Sequence, residues 1–258
     1  VFLPFLRTRG QSPRTIVLYM LVGAMQLGIM YLLAFRAYLY LTVSEFLLFT
    51  VFTPLYITLI YDLLSGRKLR WGYLLSAALA VLGAAIIRYD KVSDHFWTGL
   101  LLVQLSNLCF AIGMVGYKRL MEVRPMPQHN AFAWFYVGAF IVAVAAWFML
   151  GNPQKLPTTT LQWSVLVWLG VVASGLGYFM WNYGATQVDA GTLGIMNNVH
   201  VPAGLLVNLA IWQEQPHWPS FISGALVILA SLWVHRRWVA PRSAQTEDGR
   251  TRGSALSE

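Results

Sequence analysis

Residues 162–212 read Gln162-Trp-Ser-Val-Leu-Val-Trp-Leu-Gly-Val-Val-Ala-Ser174-Gly-Leu-Gly-Tyr178-Phe-Met-Trp-Asn182-Tyr-Gly-Ala-Thr-Gln-Val-Asp189-Ala-Gly-Thr-Leu-Gly-Ile-Met-Asn197-Asn198-Val-His200-Val-Pro202-Ala-Gly-Leu-Leu-Val-Asn-Leu-Ala-Ile-Trp212. Asp189 is the single charged residue of this run. A stretch this long is about twice what one helix needs to cross a hydrocarbon core roughly 30 Å thick, so it reads as two spans meeting near Asp189. Backbone N–H and C=O groups in lipid must bond within their own segment, and the run is too long for barrel strands, so the spans are helices.

The rest of the chain has the same character. Of 258 residues, 57% are hydrophobic, 14% aromatic and 11% charged, against about a quarter charged in soluble domains. A soluble enzyme is excluded on this ground, and the chain is expected to be a polytopic membrane protein. Spans are predicted near 16–35, 39–61, 71–88, 97–117, 130–150, 162–184, 190–212 and 219–236, with residues 1–6 as the stub of another. The last residues, 239–258, are polar and read as a disordered tail.

The formal charge of +8 is a topology signal here rather than a sign of nucleic acid. All eighteen Lys and Arg fall at or between the ends of the apolar runs, fourteen in one alternate set of connections and four in the other. The positive-inside rule places the richer set, and with it the C-terminus, in the cytoplasm. Cys109 is the only cysteine, so no intrachain disulfide and no Cys-based zinc site can form.

Self-comparison at an offset of 148 residues brings Phe35-Arg36-Ala37 onto Tyr183-Gly184-Ala185, Ser44 onto Thr192 and Pro54 onto Pro202. After a slip of one residue, Ser76 meets Ser223. Two homologous halves are expected, 1–90 and 97–238, the first short of about one and a half helices at its N-terminal side. An odd number of spans per complete half turns the halves upside down relative to each other. Inverted repeats are the mark of secondary transporters, whose site lies near the midplane.

Polar residues inside the spans are the candidate site. Glu45 lies about two turns into 39–61 and suggests proton coupling, because a buried carboxylate there is costly unless it is paired, protonated or wetted. Asn197, Asn198, His200 and Asn208 surround Pro202, whose missing N–H frees a carbonyl one turn earlier. Asn197 and His200, three apart, are expected to share a face. Ser174, Tyr178 and Asn182 recur every four residues with Trp181 beside them, and Gln104 with Asn107 forms a shorter stripe. Tyr31 adds a ring and a hydroxyl. Gly170 and Ser174 have the small-xxx-small spacing of close helix packing. There is no Walker loop, HExxH, GxSxG or intramembrane carboxylate pair, so no catalytic residue, cofactor or metal is expected. Transport would run on a gradient.

The segments Phe35-Arg-Ala-Tyr-Leu-Tyr-Leu-Thr-Val-Ser-Glu45 through Thr53-Pro54, and Tyr183-Gly-Ala-Thr-Gln-Val-Asp-Ala-Gly-Thr192 through Val201-Pro202, resemble the paired pattern of the EamA branch of the drug/metabolite transporter superfamily. The resemblance implies an all-α membrane helix bundle of five plus five inverted repeats, of which about eight full spans and a stub stand here. It further implies a bacterial inner-membrane location, a central cavity between the halves, and a small-molecule substrate. The run Tyr136 to Val199 resembles the biotin-carrying members of that superfamily and implies uptake of biotin by alternating access. Export of amino acids or related metabolites is the alternative within transport, and a non-transporting scaffold or assembly subunit is the alternative outside it. Substrate contacts are then expected from Tyr31, Gln104, Asn107, Tyr178, Trp181, Asn182, Asn197, Asn198 and His200, with Glu45 as the coupling group. Lipid is the surrounding partner, nucleic acid is not, and the oligomeric state is left open.

Overall fold

The computed structural model describes residues 1–41, 43–66, 71–72, 75, 78–79, 82, 96–212 and 218–239. Its long elements, in chain order, are α1 (Pro13–Ala37), α2 (Val43–Thr50), α3 (Thr53–Leu64), α4 (Phe96–Val123), α5 (Gln128–Leu150), α6 (Thr160–Ala185), α7 (Ala190–Asn197), α8 (His200–Trp212) and α9 (Trp218–Val234). The described residues contain no strand. Four of the helices, α1, α4, α5 and α6, are long and apolar enough to cross a bilayer. Every residue from Leu161 to Val172 in α6 is exposed, and so wide an apolar surface is stable in lipid and not in water. The expected span 71–88 falls largely outside the described residues, and so does the expected tail 239–258 apart from Val239, which ends a helical turn.

Local chemistry sets the helix starts. Ser12 caps α1 by accepting from the Thr15 N–H at 3.2 Å, with Pro13 in the first turn. Thr159 and Gln162 form a reciprocal capping box on α6, and Asp189 caps α7 by accepting from the Gly191 and Thr192 N–H groups. α4 outruns the apolar span predicted at 97–117, and its buried Lys118 is satisfied by the Val188 carbonyl at 2.7 Å and by Glu122 one turn on at 3.2 Å.

Three expectations change. The spans 39–61 and 190–212 are not single helices: each is cut into two, at Val51–Phe52 and at Asn198–Val199, just ahead of Pro54 and Pro202. Proline lacks the N–H that an unbroken helix would donate to the fourth residue back. Residues 1–6 hold one 3-10 turn, Leu3–Phe5, rather than a helical stub. α1 and α6 each contain a π-helical segment, Ala24–Ile29 and Leu169–Gly177.

The chain divides into two compact units, Val1–Arg36 with Leu108–Val188, and Ala37–Asn107 with Asp189–Glu258. The first unit packs α1, the second half of α4, α5 and α6 around Phe2, Tyr19, Leu27, Tyr117, Phe132 and Phe135. Its α1 and α5 cross backbone on backbone. A Cβ on Gly23 would lie 1.8 Å from the Phe135 carbonyl oxygen, and one on Gly138 would lie 1.8 Å from that of Met20. Only glycine permits this approach. Asn130 exchanges two hydrogen bonds with the Arg7 backbone, at 3.0 and 3.2 Å, and holds the N-terminal segment against α5.

The second unit contains both interrupted helices, and they meet at their breaks. The Asn198 Nδ2 donates to the Val51 carbonyl at 3.1 Å, and Val51, Ile195 and Ile228 form the apolar cluster beside that bond. A second cluster, Ala37, Leu41, Phe49 and Val103, seats the start of α4.

Candidate functional site

The expected site residues fall into two groups, one in each unit. In the second unit, the break at Val51–Phe52 takes helical donors away from three carbonyls, and each acquires a side-chain donor. Phe49 O accepts from Gln104 Nε2 at 3.0 Å and Asn107 Nδ2 at 2.9 Å. Thr50 O, opposite the N–H that Pro54 lacks, accepts from Thr53 Oγ1 at 2.7 Å, and Val51 O accepts from Asn198 Nδ2. A carbonyl left unpaired in an apolar interior costs about 2 kcal/mol or more, so these side chains hold the broken helix in shape. Gln104 Oε1 also accepts from the Tyr56 hydroxyl at 2.9 Å.

Asn197 is buried and His200 is exposed, so they do not share a face. The helix break between them interrupts the three-residue register on which that expectation rests, and what joins them is the His200 Nδ1 against the Asn197 carbonyl. The Asn208 side chain lies outside the described residues. Glu45 is buried, but in the first turn of α2 rather than two turns into a longer helix.

Tyr31, Tyr178, Trp181 and Asn182 belong to the first unit. The stripe Ser174, Tyr178, Asn182 lies on the inward face of α6, together with the buried Gly175 and Ala185 and the half-buried Phe179 and Trp181. The Tyr31 hydroxyl meets Ser174 Oγ at 3.3 Å, the Tyr136 hydroxyl donates to the Ser174 carbonyl, and the Tyr31 and Tyr178 rings lie 6.1 Å apart. Ser174 stands in the π-helical segment, where the widened turn releases carbonyls to outside donors. Trp181 Nε1 donates to the Met114 sulfur at 2.9 Å and Asn182 Nδ2 to the Tyr178 carbonyl at 3.0 Å. Gly170 has open space where a Cβ would go, so the Gly170–Ser174 spacing marks the π-helical turn and not a helix contact within this chain.

Tyr31, Tyr136 and Ser174 form the polar end of a cavity of about 520 Å³ whose walls are Leu27, Phe35, Phe140 and Trp147. An apolar hollow with a few convergent hydroxyls suits an amphipathic small molecule.

Gln26 lies outside the expected set. It stands in the π-helical part of α1, fully buried, and neither amide atom has a hydrogen-bond partner among the described residues. Asn182 is likewise fully buried with its Oδ1 unpartnered. Each such group costs about 1–3 kcal/mol when left dry. The sequence carries a signal for Gln26: it is the only amide in the apolar run 16–35, and polar groups at such positions are functional by default.

At the Asp189 cap, His235 Nε2–H donates to Oδ1 at 2.7 Å and the imidazole is fully buried, with Gly191 leaving room for the ring. Burial works to raise the Asp189 carboxyl. The hydrogen bonds from His235 and from the Thr192 side chain and backbone, with the His235 charge, outweigh it and hold the group below the usual carboxylate range.

The EamA-like transporter family matches residues 97–236. A protein of Escherichia coli named "Biotin transporter" is 82% identical over 258 residues, all of this chain and 86% of the relative. A "Probable biotin transporter" of Pseudomonas aeruginosa is 53% identical over 238 residues, covering 92% of this chain and 83% of the relative. A solved crystal structure of a protein 17% identical to this one aligns over 88% of this chain and 86% of its own, with a TM-score of 0.67, and shares the fold. A multi-pass helical chain with these relatives and this family match belongs to the EamA-like transporter family.

Proposed function

We propose that this protein imports biotin across the bacterial inner membrane as a gradient-driven carrier working by alternating access, with its C-terminus in the cytoplasm. The observation that carries the proposal is the 82% identity over the full 258 residues to the Escherichia coli protein named as a biotin transporter. Biotin needs partners for a ureido group, an apolar wall for its rings and chain, and a donor for its carboxylate. Tyr31, Tyr178 and Trp181 offer ring faces and a hydroxyl, and Asn182 an open acceptor. Gln104, Asn107 and Asn198 contribute by holding the broken helices, while Asn197, His200 and Glu45 remain candidates for solute contact and coupling.

Two homologous halves are supported by matching irregularities. At an offset of 148 residues, Gln26 corresponds to Ser174, both in π-helical segments, and Pro54 corresponds to Pro202, each just after a helix break. Cytoplasmic placement of the C-terminus is supported by the alternating Lys and Arg distribution.

Accumulation of labelled biotin at nanomolar concentration, in cells lacking their own uptake, tests the function. Accumulation competed by unlabelled biotin is expected. Absence of accumulation with the protein present in the membrane would overturn the proposal and turn attention to export.

A further inference from the structure

The chemistry of the unpartnered amides in the first unit is specific. Gln26 Oε1 and Asn182 Oδ1 are two open acceptors, and Gln26 Nε2 is one open donor group, all on fully buried side chains. The Asn182 Nδ2 is engaged on the Tyr178 carbonyl, so that residue has only its oxygen to offer. A cyclic urea presents the complement: two N–H donors flanking one C=O acceptor. A primary carboxamide can pair with one N–H and the C=O of such a ring through two parallel bonds, leaving the second N–H for another acceptor.

The 520 Å³ cavity, lined by Leu27, Gly28 and Tyr31 but by neither amide, lies on the α5 side of α1, where a Cβ on Gly28 would meet the Val142 side chain at 2.7 Å; Gln26 faces α4 instead. On that side, α4 has glycine where α1 presses closest. A Cβ on Gly113 would lie 2.2 Å from the Gln26 Cβ and 2.7 Å from its Cα, so the Gln26 stem is fixed against α4. Met114, the following residue, receives the Trp181 Nε1, which brings α6 to the same level of α4 one residue before Asn182. The π-helical turn at Ala24–Ile29 is the kind of helix irregularity that recurs at functional sites.

We infer that Gln26 is a specificity-determining residue of the carrier, pairing its carboxamide with the ureido edge of the solute while Asn182 Oδ1 accepts the second ureido N–H. The inference rests on the biotin reading. It predicts selectivity for cyclic ureas over ring analogues in which the ureido oxygen is replaced.

The test compares wild type with Gln26→Met, which keeps length and removes both hydrogen-bonding atoms, in cells lacking their own biotin uptake. Uptake kinetics are read with labelled biotin, and competition with the cyclic guanidine analogue of biotin gives the discrimination. Loss of two neutral hydrogen bonds is expected to raise KM about tenfold or more, with Vmax per membrane-inserted protein kept within about twofold and the preference for biotin over the analogue collapsing. A KM and an analogue preference both unchanged in Gln26→Met overturn the inference and leave biotin transport standing. A wild type that takes up no biotin removes the transport reading and this inference with it. Should Gln26→Met be missing from the membrane, Asn182→Leu is read by the same ratio, and an unchanged ratio there overturns the pairing.

Discussion

The two units solve the problem of polar groups in an apolar interior in opposite ways. In the second, helix breaks expose carbonyls at Phe49, Thr50 and Val51, and Gln104, Asn107, Thr53 and Asn198 satisfy them. In the first, helices meet through glycine with backbone against backbone, while the amides of Gln26 and Asn182 keep open hydrogen-bonding capacity. The same residue types thus act as structural donors in one unit and keep amide atoms without a partner among the described residues in the other.

The largest expected effect is at the glycine crossing. Gly23→Val places atoms where the Phe135 carbonyl sits, so a loss of about 4 kcal/mol or more is expected, seen as loss of folded protein from the membrane. Survival of Gly23→Val at wild-type thermal stability would show that the first unit is not held by backbone contact.

Next comes the second unit's bond across the breaks. Asn198→Leu leaves the Val51 carbonyl without its donor and should destabilise by about 1–3 kcal/mol, read as a lower melting temperature in detergent. An unaltered melting temperature would mean that the amide is dispensable to the fold and belongs instead with the solute-facing group.

The Asp189 cap contributes less, about 1 kcal/mol. Its carboxyl is depressed in the folded protein, so the stabilisation is fully present above the ordinary carboxylate pKa of 3.8 and is lost as pH falls below it. A melting curve flat from neutral pH down to about 5, then falling, is expected, with the acid limb shallower in Asp189→Asn. An equally steep acid limb in that variant would assign the loss to other groups.

The smallest effect on stability is at Gln26. Removing an unpartnered buried amide relieves a desolvation cost, so Gln26→Met should keep stability or raise it by up to about 1 kcal/mol, read as an equal or higher melting temperature. A marked drop would place Gln26 with the structural amides of the second unit and dissolve the contrast.

The sequence alone determined that the chain crosses a membrane as helices, because a run such as 162–212 with one charge has no other stable environment. It also marked a missing donor at Pro54 and Pro202, although the spans 39–61 and 190–212 read as single helices and their interruption emerged only in the structure. Tertiary structure decided what the interruptions mean. That Asn198 faces Val51, and Gln104 and Asn107 face Phe49, depends on residues far apart in the chain meeting at one level. The π-helical turns at Ala24–Ile29 and Leu169–Gly177 leave no trace in residue periodicity, because one extra residue per turn shifts a face without changing its composition. For the same reason Gly170 and Ser174 read as a packing pair, although Gly170 meets nothing while Gly23, Gly113 and Gly138 press directly on a neighbouring helix. Gln26 was visible as a lone amide in an apolar run, yet only its enclosure, with no hydrogen-bond partner among the described residues, distinguishes an amide kept open from one that holds the fold together.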